Sequence, residues 1–172
     1  MRMKTPSLKG FTLVELLLYV AISGAMLLVV SLFLSTLLQS RVKNQTIAEV
    51  EQQGLQVMQM VTQAIRNADA ISSPALGTSA ATLSINTLVA ANNPTVLDLS
   101  GGVIRIKEGA GSVVSLTNSR VAASALTFRN LSRSGTPGTL RIQFTLTYVN
   151  PSGRNEFSFT KTFIGTATLR QP

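Results

Sequence analysis

The feature that most constrains this chain is a long uncharged stretch close to its N-terminus. Residues 16–38, LLLYVAISGAMLLVVSLFLSTLL, contain no charged side chain, and Arg41 and Lys43 follow them. As a helix the stretch would measure roughly 35 Å, enough to cross a hydrocarbon core of about 30 Å. Its apolar side chains occupy every side of such a helix, whereas a core helix of a soluble domain keeps a polar face. The stretch therefore predicts a membrane-spanning helix.

A secretory signal peptide is the alternative interpretation of a basic start followed by apolar residues. Two observations oppose it: the apolar stretch is too long, and no small-x-small cleavage site follows it. Arg2, Lys4 and Lys9 precede the stretch, against Arg41 and Lys43 after it. Because basic residues stay on the cytoplasmic side, this bias predicts an N-terminus inside and the rest of the chain outside.

Composition excludes several classes of site. The chain has 15 basic and 7 acidic residues, giving a net charge of +8, and it contains no cysteine and no histidine. Disulfides, cysteine or histidine metal sites, and mechanisms with a histidine base or a cysteine nucleophile are therefore excluded. The few carboxylates form no recognisable catalytic constellation. We expect a protein that is not an enzyme and that has no cofactor and no bound metal.

After Lys43 the sequence becomes amphipathic, with apolar residues at intervals of three and four. We predict one continuous helix from about 12 to 70, ended by Ser72-Ser73-Pro74, with Gly54 allowing the close approach of a sheet. The stripe is expected to pack on the chain's own C-terminal part, although it also suits a partner helix. Its members are Ile47, Val50, Gly54, Met58, Val61, Ile65 and Ala68.

From residue 81 onwards the apolar residues alternate with polar ones, as in strands. The pattern predicts a hairpin formed by residues 103–108 and 112–117. The clearest alternation of apolar and polar residues lies in 139–149, which is predicted to be a strand. A return strand carries Phe157, Phe159 and Phe163, and Lys161 interrupts its stripe near the expected edge of the sheet. We therefore predict an α+β fold in which the helix covers one face of a single antiparallel sheet. The predicted segments are 1–10 (basic leader), 11–38 (transmembrane), 39–71 (amphipathic helix) and 72–172 (β-rich domain).

The residues Lys9-Gly10-Phe11-Thr12-Leu13-Val14-Glu15, followed at once by the apolar stretch, resemble the processing motif of type IV pilins and type II secretion pseudopilins. The resemblance implies a pilin-like fold and cleavage between Gly10 and Phe11 by the prepilin peptidase, a membrane aspartyl peptidase, followed by N-methylation of Phe11. It also implies that Glu15 sets the assembly register, by pairing with the Phe11 amine of a neighbouring subunit. Many pilin helices contain a proline part-way along, and residues 11–38 contain none.

The resemblance implies a structural subunit of a type IV pilus or type II secretion pseudopilus. Residues 52–69, QQGLQVMQMVTQAIRNAD, are similar to J-type minor pseudopilins and W-type minor pilins, so a minor subunit is expected. Its partners would be other pilin-like subunits, contacted through the N-terminal helix, the prepilin peptidase and the inner-membrane assembly machinery. It would be a single-pass inner-membrane protein that then enters an extracytoplasmic filament.

Two alternatives remain open. Minor pilins of DNA-uptake systems contact DNA through basic surface residues, for which the candidates here are Arg129, Arg133, Arg141 and Arg154. These arginines are scattered along the chain and aromatic residues are few, so the sequence shows no dedicated nucleic-acid patch. The second alternative is a single-pass adhesin or sensor that is never processed.

Overall fold

The structure is a computed structural model that describes residues 10–170. Of the predicted basic leader only Gly10 falls inside this range, and Arg2, Lys4 and Lys9 lie outside the described residues. The chain divides into two compact units, of which the first ends at Arg41 and the second begins at Val42. One helix, α1 (Leu13–Arg66), contributes residues to both units.

In the first unit, every residue of α1 is exposed. Its leucine, valine and phenylalanine side chains are therefore not covered by the described part of the chain. The hydroxyl groups of Ser35 and Thr36 donate hydrogen bonds to the Leu32 carbonyl, at 2.8 and 3.0 Å, which satisfies these polar groups within the helix. On length and composition α1 could cross a membrane, and it is the one helix among the described residues that could.

Residues 42–170 of the second unit form nine strands in two antiparallel sheets. The first sheet has the order β1-β3-β4-β5-β6, and the second sheet has the order β2-β7-β8-β9. The strands are β1 (Ala68–Ser73), β2 (Ser79–Ala80), β3 (Leu83–Thr87), β4 (Thr95–Ser100), β5 (Val103–Glu108), β6 (Val113–Ser115), β7 (Val121–Asn130), β8 (Thr139–Tyr148) and β9 (Thr160–Thr168). The prediction of a helix with antiparallel β-structure is confirmed, and so is the hairpin of β5 and β6.

The prediction of a single sheet is wrong. After β6 the chain leaves the first sheet, and β7 pairs with β2 and β8 instead. Both sheets bury their apolar faces in one core, where Leu83, Ile85, Leu97 and Ile104 of the first sheet belong to the same cluster as Phe128, Ile142 and Phe144 of the second. Alternation shows which face of a strand is buried but not which strands are neighbours, so the sequence could not reveal this division.

The second-unit part of α1 buries one face in this core. Its buried residues are Thr46, Val50, Gly54, Val57, Val61 and Ile65. The predicted stripe is thus confirmed at Val50, Gly54, Val61 and Ile65, whereas Ile47 and Met58 are only half-buried. The prediction left out Val57, which is completely buried because it faces the centre of the core. Met58, the next residue of the helix, is turned away from the centre and packs over Gly165 of β9.

The helix also ends earlier than predicted, at Arg66 instead of about residue 70. Residues 68–73 form β1 and pair with β3, so their backbone groups are used in the first sheet. The carbonyl of Arg66 accepts a hydrogen bond of 3.1 Å from the Arg170 amide, which gives the helix end a partner from the C-terminal segment. Ala68 continues the helical spacing of apolar residues by coincidence, since it is buried from a strand.

Contacts with β9 and with the loops on either side fix this part of α1 in place. A Cβ on Gly54 would overlap the ring of Phe163, which confirms the predicted close approach. Lys161 lies on the last strand of the second sheet, which confirms its predicted place near a sheet edge. It donates a hydrogen bond of 2.5 Å to Glu51. Lys43 Nζ donates to the carbonyls of Asn155 and Ser158, at 3.3 and 2.5 Å, and so ties the loop before β9 to the helix.

Candidate functional site

The predicted processing site lies immediately before the first turn of α1. Gly10 and Phe11 precede the helix, and Thr12 is its N-cap. The Glu15 amide donates to the Thr12 hydroxyl at 3.3 Å and to the Thr12 carbonyl at 3.1 Å. Thr-x-x-Glu at a helix start is the pattern of a capping box, in which the cap hydroxyl accepts from the third helical amide. The predicted scissile bond is therefore two residues from a fixed helix start.

Thr12 belongs to the motif in the sequence, but no role was predicted for it, although the Thr-x-x-Glu spacing was visible. Its hydroxyl satisfies one of the four amides that a helix start leaves without a partner. Glu15 lies in the first turn, where a carboxylate interacts favourably with the positive end of the helix dipole. The cap uses only the backbone amide of Glu15, whereas the helix dipole favours its carboxylate at this position independently of any neighbouring chain.

The surroundings of Glu15 are apolar and exposed. Phe11 is 73 % exposed, and its ring meets the ring of Tyr19 edge to face at 6.1 Å. Aromatic pairs in this geometry contribute about 0.5–1.5 kcal/mol beyond the area that they bury. The carboxylate therefore lies at the end of a helix surface that suits lipid or other helices better than it suits water, an environment in which a charge needs a partner.

Among the predicted basic residues, the structure brings Arg129 and Arg141 together. They face each other directly in the register of β7 and β8, and both are exposed. Directly opposed residues have Cβ atoms about 4.5–5.5 Å apart, and two like charges in this arrangement are destabilising. The sequences of β2, β7, β8 and β9 contain no aspartate and no glutamate that could offset the repulsion within the sheet.

The other two candidate arginines differ from this pair. Arg133 lies in the turn between β7 and β8, where its amide donates to the Thr136 hydroxyl at 3.3 Å. Arg154 follows the opposite end of β8, forms an ion pair with Glu156 and lies over the ring of Phe157 at 5.9 Å. Arg154 is therefore committed to its own loop, and the four arginines do not form one patch.

The remaining ion pairs within residues 10–170 hold strands and helix together. Asp98 and Arg105 face each other on β4 and β5 and form two hydrogen bonds, of 2.9 and 2.7 Å. These hydrogen bonds raise the pKa of the Arg105 guanidinium above its ordinary value. Glu49 accepts from the Asn118 amide group at 2.8 Å and pairs with Arg120 at 3.4 Å, which joins α1 to the segment before β7.

A metal ion requires a grouping of ligand side chains around one position. Within residues 10–170 no three histidine, cysteine, aspartate or glutamate side chains are grouped so that they could hold a metal ion. The two candidate features in this range are the N-terminal segment, Gly10 to Glu15, and the arginine pair on the second sheet. Comparisons of the chain with family models, with curated proteins and with solved structures found no match.

Proposed function

We propose that this chain is a minor structural subunit of a type IV pilus or type II secretion pseudopilus, cleaved between Gly10 and Phe11 and assembled into a helical filament. One observation carries the proposal: a basic leader, a Gly-Phe junction and a glutamate occur together before an uninterrupted apolar stretch. The full exposure of α1 as far as Arg41 supports it, because such a surface needs lipid before assembly and other helices after it.

The role proposed for Glu15 follows from the energetics of a charge in lipid. A carboxylate at the centre of a membrane helix costs about 2.5–3.5 kcal/mol on insertion scales. Glu15 lies at the start of α1, where the cost is smaller, and a cationic partner would offset it. Cleavage would place a new cationic amine on Phe11. Because the positive end of the helix dipole disfavours a cation there, the amine would also be stabilised by a carboxylate. The Glu15 carboxylate of one subunit would pair with the Phe11 amine of the next, and this pairing would fix the register between subunits.

Mass spectrometry of the chain purified from its own host tests the proposal. We expect a mature protein that lacks residues 1–10 and carries one methyl group on the Phe11 amine. A Gly10→Ala variant provides the comparison, since the resemblance implies that the peptidase cuts after this glycine. An intact Met1, or a cut after residue 38, would contradict the proposal and would favour the unprocessed adhesin or sensor.

DNA binding is a second candidate function, favoured by the direct pairing of Arg129 and Arg141 on a face without acids. Binding of duplex DNA by the full chain in detergent micelles should then weaken steeply as salt increases. Replacing both arginines with alanine should lower the slope of log K against log salt by roughly 1.8, the value expected for two phosphate contacts. Absence of binding at low salt would remove this candidate.

A further inference from the structure

The second sheet ends in a long strand, and no strand from residues 10–170 lies beside its outer edge. β9 is the last strand of the order β2-β7-β8-β9, and it pairs with β8 over nine consecutive residues without a register shift. One row of its backbone amides and carbonyls therefore points towards β8, and the other row points away from the sheet.

The hydrogen bonds at the two ends of the ladder identify the row that points away. The Tyr148 amide donates to the Phe159 carbonyl at 2.9 Å, and the Leu169 amide donates to the Gly138 carbonyl at 2.8 Å. Because hydrogen-bonded pairs alternate in an antiparallel ladder, the odd-numbered residues of β9 bond to β8. The even-numbered residues therefore direct their amides and carbonyls outwards; they are Thr160, Thr162, Ile164, Thr166 and Thr168.

The other three sheet edges of the described chain are protected in the ways that natural proteins use. β2 has two residues and β6 has three, and the pairing of β1 is interrupted by two register shifts. β9, by contrast, is nine residues long, with no proline and no bulge. Its one charge, Lys161, is at the end of the strand and is bound to Glu51. An unprotected edge of this length is a template for another strand.

Both sides of this edge carry features that a paired strand would contact. On the side of α1, Met58 packs over Gly165, and beside it lies a surface depression of about 610 Å³ lined by Leu55, Met58, Thr62 and Arg66, among others. Leu55 is 63 % exposed there. On the opposite face Ile164 is 57 % exposed, and Arg141 of β8 is the direct neighbour of Thr166 of β9.

We propose that the free edge of β9 binds an extended segment of a partner protein by strand addition. The backbone of that segment pairs with the even-numbered residues of β9. On one side its apolar side chains enter the depression next to Leu55. On the other side the segment carries an acidic residue opposite Thr166. This residue lies two strand spacings, roughly 9.5 Å, from Arg141 on β8, and the two long side chains together bridge that distance. The inference requires neither cleavage of the chain nor a filament.

A second copy of this chain does not fit the edge as well as an extended segment does. The contacts of Gly54 with Phe163 and of Met58 with Gly165 show that α1 lies over β9. If two copies paired through β9, their strands would be about 4.8 Å apart. Two packed helices need about 8–10 Å between their axes, so the helices over the two strands would collide. An extended segment without a covering helix meets no such obstacle.

Amide hydrogen exchange of the full chain in dodecyl maltoside micelles, followed by NMR, tests the free edge directly. The amides of Thr162, Ile164 and Thr166 should exchange fast, and those of Phe163 and Gly165 should exchange slowly because they bond to β8. Alternation along β9 is the expected result. Equal protection of even and odd residues would show that the edge is already covered, and it would overturn the proposal.

A peptide probe tests the addition itself. It has the sequence of residues 139–148 with glutamate in place of Arg141, TLEIQFTLTY, since β8 is a segment that already pairs with β9. Binding is measured by fluorescence anisotropy, and it should slow exchange of the even-numbered amides about tenfold. The same peptide with arginine retained should bind about fivefold more weakly. No binding, or binding without this protection, would overturn the proposal, and equal affinity of the two peptides would overturn its acidic contact.

Two variants of the chain separate edge binding from adsorption of the peptide to micelles. Ile164→Pro removes an amide that points outwards from the edge strand, adds no charge, and should weaken binding of the glutamate peptide about tenfold. Ile164→Ala is the matched control, because it shortens the same side chain and keeps the outward amide. Its effect should stay within about twofold. Equal weakening by both variants would contradict strand addition.

Discussion

At the start of α1, the proposed function depends on the charge of Glu15. Replacing Glu15 with glutamine keeps the size of the side chain and removes the charge, so the Phe11 amine of a neighbouring subunit would be buried without a counter-ion. Leaving one partner of a buried pair uncompensated costs about 3–5 kcal/mol. We therefore expect Glu15→Gln to be cleaved normally and to enter filaments at least about tenfold less than the parent, measured by immunoblotting of sheared filaments.

Thr12→Ala is the control for this prediction, because it alters the same helical turn and keeps the charge. It removes the cap hydroxyl that accepts from the Glu15 amide, at a local cost of about 0.5–2 kcal/mol. We expect the mature Thr12→Ala chain to enter filaments within about twofold of the parent, since that cost is paid in the free and the assembled subunit alike. If Glu15→Gln assembles as well as the parent does, assembly does not require the carboxylate, and the proposed pairing with the Phe11 amine is wrong.

At the scale of the elements, the side of α1 that faces the core decides which of its residues stabilise the second unit. Val57 is completely buried, and Val57→Ala removes two methyl groups from the core and leaves a small cavity. We expect a loss of about 1.5–3 kcal/mol in the free energy of unfolding of the second unit. Circular dichroism of the strand signal during urea unfolding in micelles measures this loss.

Leu55→Ala is the matched control for Val57→Ala, because Leu55 is two positions earlier on the same helix and largely exposed. Its truncation should change the free energy of unfolding by less than about 0.5 kcal/mol. Similar losses for the two variants would mean that the helix does not bury the face that contains Val57.

Periodicity predicted most elements because each of them buries a single face. The helical spacing of Val50, Val61 and Ile65 indicates the buried stripe of α1. The alternation of apolar and polar residues indicates the strand 139–148. Two outcomes depend on distant partners and could not be predicted. The end of α1 at Arg66 depends on the pairing of residues 68–73 with β3, and the exposed edge of β9 depends on the order of strands in a second sheet.

The candidate site was predictable to the extent that it is local in sequence. Gly10, Phe11 and Glu15 belong to one short motif, so their proximity follows from the chain itself. Arg129 and Arg141 are twelve residues apart and meet only because β7 pairs with β8 in one particular register. Arg154 looks equivalent to them in sequence, and it differs because a glutamate two residues later takes up its charge.

For the molecule as a whole, the orientation in the membrane follows from the basic residues around the apolar stretch. Three of them precede it and two follow it, so we expect the N-terminus in the cytoplasm and residues 42–172 outside. Because the chain has no cysteine, single-cysteine variants report on each side without background. In cells that lack the prepilin peptidase, Ser119→Cys should react with a membrane-impermeant maleimide added to intact spheroplasts. Ser7→Cys should react only after the membrane is opened, and the reverse pattern would mean that the charge difference does not set the orientation.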